Sequence, residues 1–76
     1  MATVTIRYWA AAGTHEEPGD GRTLAAVLER ATAGRGPEFA RVLAHSSFLI
    51  DGVRARPDTP LTDGAVIEVL PPFAGG

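Results

Sequence analysis

The chain has 76 residues, 45% hydrophobic and 21% charged, with a formal net charge of −2, which bounds it to one small domain near the lower end of what folds unaided. A pocket able to enclose a substrate would consume much of so small a core, so size argues against a self-contained enzyme. Cysteine is absent and all seven cationic side chains are arginine; this excludes disulfides, thiolate nucleophiles, thiolate metal sites and side-chain Schiff bases, while scattered arginines on a net-negative chain give no basic stripe for nucleic acid or an anionic membrane.

Thr3 to Trp9 alternate, with Val4, Ile6 and Tyr8 on one face and Thr5, Arg7 and Trp9 on the other, the period of a half-buried strand. Ala10-Ala-Ala12 looks like a signal-peptidase site, but Arg7 interrupts a stretch already too short for an apolar signal core. No run reaches transmembrane length, so the expected location is the cytoplasm. From Ala10 to Arg22 the composition turns to Gly, Pro, Asp and Glu, which predicts a loop with at most a short strand around Thr14 to Glu17. Glu16 and Glu17 are then a solvated pair rather than acid–base catalysts.

Thr23 stands where an N-cap belongs. Leu24, Val27, Leu28 and Ala31 follow at helical spacing, and Gly34 fits the position just past the end. A second, shorter helix is predicted from Pro37, carrying Phe39, Val42 and Leu43 inward before His45. Phe48 to Ile50, Asp51-Gly52 and Val53 read as a hairpin with a two-residue turn. A proline-containing loop then leads through Asp63-Gly64 into a last strand in which Ile67 and Val69 alternate with Val66, Glu68 and Leu70. The order predicts an α+β domain, one principal helix covering one face of a mixed sheet. His15 and His45 are isolated from each other and from other ligands, so no metal site is expected.

The segments Thr3 to Trp9, Leu24 to Ala31, Pro60-Leu-Thr-Asp-Gly64 and above all Val69-Leu-Pro-Pro-Phe-Ala-Gly-Gly76 resemble the MoaD family, the small subunit of molybdopterin synthase, with the thiazole carrier ThiS and other ubiquitin-like sulfur carriers behind it. The resemblance implies a β-grasp fold over residues 1–70 and a flexible tail over 71–76. It implies a sulfur carrier whose Gly76 carboxylate is adenylated by an ATP-dependent, ubiquitin-activating-like enzyme and then thiocarboxylated. It further implies that Pro71, Pro72, Phe73, Ala74 and Gly75 thread into a large molybdopterin synthase subunit that holds the catalytic pocket. The chain itself would bind no cofactor, and ATP would belong to the activating enzyme. Trp9 and Leu70 match positions that contact partners in that family, whereas Arg54 stands where some relatives carry an apolar contact residue.

The chemistry is consistent with those residues. A terminal carboxylate, with a pKa of about 3.3–3.7, is ionised at neutral pH and is a poor electrophile until adenylation gives it a leaving group. Glycines without Cβ atoms thread narrow channels, and six extended residues reach about 20 Å. The prolines stiffen the base of the tail and reduce the entropy lost on ordering it. Other readings are a carrier for thiamin thiazole, cysteine or a thiolated metabolite, a ubiquitin-like modifier forming isopeptide bonds, and a β-grasp binding module with no reactive terminus.

Overall fold

The computed structural model describes residues 2–10 and 13–72. Its elements run β1 (Ala2–Ala10), β2 (Gly13–Gly21), α1 (Leu24–Thr32), α2 (Pro37–Ala44), β3 (Ser47–Ile50), β4 (Val53–Arg54) and β5 (Val66–Leu70). The strands form one five-stranded sheet in the order β2-β1-β5-β3-β4. β1 and β5 pair in parallel at its centre, with Ile6 beside Ile67 and Tyr8 beside Val69, and the other pairs are antiparallel.

One face of this sheet is sealed by α1. Leu24 and Val27 meet Ile6, Ile67 and Val69, and these five are the largest fully buried side chains. Each is worth roughly 1.5–3 kcal/mol of transfer free energy. The predicted helix is present with its caps: Thr23 Oγ1 accepts from the Ala26 N–H at 3.2 Å, and Gly34 sits past the end at φ +79°. The remaining first-turn donors are satisfied from the proline-containing loop, where Thr59 O accepts from Leu24 N at 3.1 Å and Pro57 O from Ala25 N at 2.9 Å.

α2 begins at Pro37 as predicted and buries Leu43, with Phe39 packed against the core. Val42, expected inward, is instead exposed. A short helix lying at the margin of so small a core has too narrow a buried stripe to cover three apolar positions.

The larger correction concerns β2, which runs for nine residues where at most a short strand was expected. Being an edge strand, it tolerates Pro18, which a central strand would not. Its glycines make room for the helix rather than break the strand. A Cβ on Gly19 would lie 2.7 Å from Ile6 Cδ1, and one on Gly21 would lie 2.9 Å from the backbone nitrogen of Val27.

Both Asp-Gly turns also do more than reverse the chain. Asp51 (φ +50°) and Gly52 (φ +84°) form the mirror-image turn that matches strand twist. The Asp51 carboxylate accepts from Val66 N at 3.0 Å, and Asp63 accepts from Thr3 N at 2.9 Å, so each turn is tied to a strand it does not connect. Among the described residues no helix is long and apolar enough to cross a membrane.

The glycine floor gives a direct expectation. Gly21→Ala should destabilise the fold by about 1–3 kcal/mol, because the backbone it meets cannot turn aside as a side chain would. Urea unfolding measures this, and an unchanged midpoint would mean that α1 has slack above β2.

Candidate docking face and tail root

The sheet's uncovered face carries the side chains that alternate with the core. In register across it lie Arg7 and Glu68 on β1 and β5, Glu16 opposite Arg7 on β2, and Leu49 opposite Glu68 on β3. Trp9 is two residues beyond Arg7, and Leu70 two beyond Glu68. The two expected partner contacts therefore share this face, at the end of the sheet where β5 runs out. Trp9 is 38% exposed and Leu70 half-buried.

Trp9 is held in place. Its indole Nε1–H donates to Glu68 Oε2 at 3.0 Å. Arg7 lies 3.9 Å from the same carboxylate oxygen and donates to Glu16 Oε2 at 2.6 Å. A hydrogen bond to a charged acceptor is among the stronger ones available to an exposed ring, so Trp9 presents an ordered apolar surface. The alternation places Glu68, Arg7 and Glu16 on this face, but the sequence carried no signal that they would pin the indole.

On the core side of the same end is a second cluster that sequence reading missed. Glu17, expected in a loop as part of a solvated pair, sits on β2 opposite Ile6 and is mostly covered. Its carboxylate accepts from Tyr8 Oη at 2.9 Å and from Arg35 in the α1–α2 connection. The Arg35 guanidinium also lies 4.5 Å from the Phe39 ring centroid and 5.9 Å from that of Tyr8, in cation–π range. His15 stacks on Tyr8 at 6.3 Å, whereas His45 ends α2 with Nδ1 at 3.0 Å from Arg41 O. Burial pushes the Glu17 carboxyl up, but the hydrogen bonds from Arg35 and Tyr8 outweigh it and hold the group below the usual carboxylate range. Burial, then the bond to Glu17, pushes Tyr8 up to about 12.

A cleft of about 390 Å³ between β2 and α1 is walled by Arg30 and Arg35, and each is already paired, with Asp20 and Glu17 respectively. Among the described residues no group of His, Cys, Asp or Glu could hold a metal ion. Pro71 is half-buried and Pro72 exposed as the backbone leaves β5. Phe73, Ala74, Gly75 and Gly76 lie outside the described residues.

Residues 4–76 match the ThiS family. The chain belongs to that family. This ThiS-family protein is a small sulfur carrier with the β-grasp fold. Among solved structures it is similar to a chain of the complex of subunits 1 and 2 of molybdopterin-converting factor from Helicobacter pylori 26695. The two share 24% identity over 97% of this chain and 99% of that one, at a TM-score of 0.69. At that identity the likeness establishes the fold. No curated protein matches.

The Glu17 cluster makes stability depend on pH at both ends. A carboxyl held low in the folded state stabilises it above the unfolded carboxylate pKa, and that contribution is lost as pH falls through the folded value. Acid unfolding should therefore steepen below the usual carboxylate range, and Glu17→Gln should remove this and cost on the order of 1 kcal/mol at neutral pH. At the alkaline end the unfolded Tyr8 ionises first, so stability should fall as pH rises from the ordinary tyrosine value towards about 12. Equilibrium unfolding across pH, with phenolate absorbance, reads both limbs.

Proposed function

We propose that this protein is the sulfur-carrying small subunit of a molybdopterin synthase, with a body over residues 1–70 and a tail over 71–76. The Gly76 carboxylate is adenylated by an ATP-dependent partner and converted to a thiocarboxylate, whose sulfur passes to a pterin precursor in the large subunit. The observation that carries this reading is the run Leu70-Pro-Pro-Phe-Ala-Gly-Gly76, leaving β5 beside an ordered, exposed Trp9.

The physical division of labour supports it. A body with no metal-holding cluster among the described residues offers a docking face, and a tail of about 20 Å can carry an acyl group into another protein's pocket. Proline at the base reduces the ordering entropy, and glycine at the tip lets the backbone pass where a side chain would jam. The similar solved structure is a complex of two subunits of molybdopterin-converting factor, which fits a large-subunit partner for this chain as well. The proposed setting is the cytoplasm, and the chain holds no cofactor of its own.

A second reading takes the family's name at face value and assigns the sulfur to a thiazole or another thio-product. The double proline favours the first. Co-purification separates them: a molybdopterin synthase large subunit supports the proposal, and a thiazole synthase or a cysteine-forming enzyme overturns the pathway while keeping the carrier. Protein adducts that survive denaturation would instead indicate a modifier.

The first experiment is intact mass after incubation with the cognate adenylating enzyme, ATP and sulfide. One oxygen replaced by sulfur at Gly76 is expected, and an unchanged mass with an active enzyme would overturn the carrier chemistry. Gly75→Val should leave the fold intact and abolish sulfur transfer. Trp9→Ala should weaken partner binding by about 2 kcal/mol, a hot-spot loss; an unchanged dissociation constant would remove Trp9 from the interface.

A further inference from the structure

An indole brings a difficulty to any interface it enters. Its ring is apolar, but its one polar group, the Nε1–H, can only donate, and burying that donor without an acceptor costs more than an ordinary hydrogen bond returns. A protein that covers Trp9 must therefore offer an acceptor at the right place, unless the chain that carries the indole already supplies one.

Here the chain supplies it. Arg7 lies beside Glu68 and Tyr8 beside Val69 in the parallel pairing, so Glu68 is diagonal to Trp9 on the same uncovered face. The indole turns back along the sheet and donates to Glu68 Oε2 at 3.0 Å. The ring keeps 38% of its residue's surface exposed, while the side chain of Glu68 is only 19% exposed. Glu68 is itself held from within the chain, with Arg7 Nη1 3.9 Å from the same oxygen and Arg7 donating to Glu16 at 2.6 Å. The second side-chain torsion of an indole is broad, so this bond selects one orientation from many. The ring stands at the end of the sheet where Leu70 closes β5 and the chain runs on to Pro71 and Pro72. Under the proposed function, the large subunit that receives residues 71–76 lies against that end.

We propose that Glu68 is a positioning residue of the docking face: it satisfies and orients the Trp9 indole, so that the large subunit covers the ring with an apolar surface that carries no acceptor. The identity of the partner rests on the proposed function; the inference adds what Trp9 takes from its own chain and what chemistry meets it from the other side. Strand formation does not call for a carboxylate here, because glutamate is depleted in strands and a β-branched residue suits a central one better.

The test is a double-mutant cycle. Affinity for the large molybdopterin synthase subunit is measured by titration calorimetry for wild type, Glu68→Met, Trp9→Phe and the double variant. Methionine keeps the length and removes the acceptor, and phenylalanine keeps a ring and removes the donor. Glu68→Met should weaken binding about tenfold where the indole is present, because the donor is then buried without a partner, and less than about twofold in the Trp9→Phe background, where no donor is orphaned. Glu68→Gln, whose amide oxygen still accepts, should retain most of the affinity. Equal losses from Glu68→Met in both backgrounds would overturn the proposal. The chain has a single tryptophan, so folded wild type alone gives a second reading if Glu68→Met does not fold. Its indole N–H resonance should exchange slowly with water, and its fluorescence anisotropy should show the ring turning with the body; a fast-exchanging, freely rotating indole overturns the proposal without any variant. Failure of the proposed function reads differently, as wild type that does not bind the large subunit at all, and the proposal then falls with it.

Discussion

The close seating of α1 on the sheet is the constraint from which most of the molecule follows. A domain of this size can bury only a handful of side chains completely, and here they are Ile6, Leu24, Val27, Ile67 and Val69. They close over one another only because the strand under the helix carries hydrogen where other residues carry a Cβ, at Gly19 and Gly21. The same descent of α1 brings its first turn against the proline-containing loop, whose carbonyls take up donors that would otherwise be orphaned. Core, edge strand and loop are thus consequences of one contact distance.

Sealing one face of the sheet so fully leaves the other uncovered. That face is not merely uncovered. Glu68 holds the Trp9 indole and Arg7 sits between two carboxylates, so the ring is already ordered and would lose less conformational entropy in any contact made there. At the same end, on the core side, Tyr8, Glu17, Arg35 and Phe39 fasten the α1–α2 connection to β1 and β2. The strand that leads into the tail therefore leaves from a sheet end braced on both faces.

Much of this was legible in the sequence because it depends on local rules. Periodicity gave β1, α1 and β5, Thr23 and Gly34 marked the limits of α1, and the two Asp-Gly pairs marked real turns. The failures share a cause. The glycines and proline of β2 looked like strand breakers because their purpose, space for Val27 and an edge position, exists only once α1 is in place. Val42 looked inward because helical spacing does not reveal how wide a stripe the core can accept. Glu17 looked solvated because its partners, Tyr8 and Arg35, come from elements 9 and 18 residues away. The candidate face was half legible: alternation placed Trp9 and Leu70 together, but not the carboxylate that orders the indole.

The central parallel pairing of β1 with β5 has a consequence for how the protein comes into being. Thr5 to Tyr8 find their partners only in Val66 to Val69, so the two middle strands of the sheet are joined across almost the whole length of the chain. Pairing at such separation makes folding wait on a large loop closure, and during synthesis the first strand has no neighbour on that side until the ribosome has made nearly everything else. A nascent chain thus has an open sheet and an incomplete core. A chain cut short before β5 therefore lacks the one strand that joins the β2-β1 half of the sheet to the β3-β4 half.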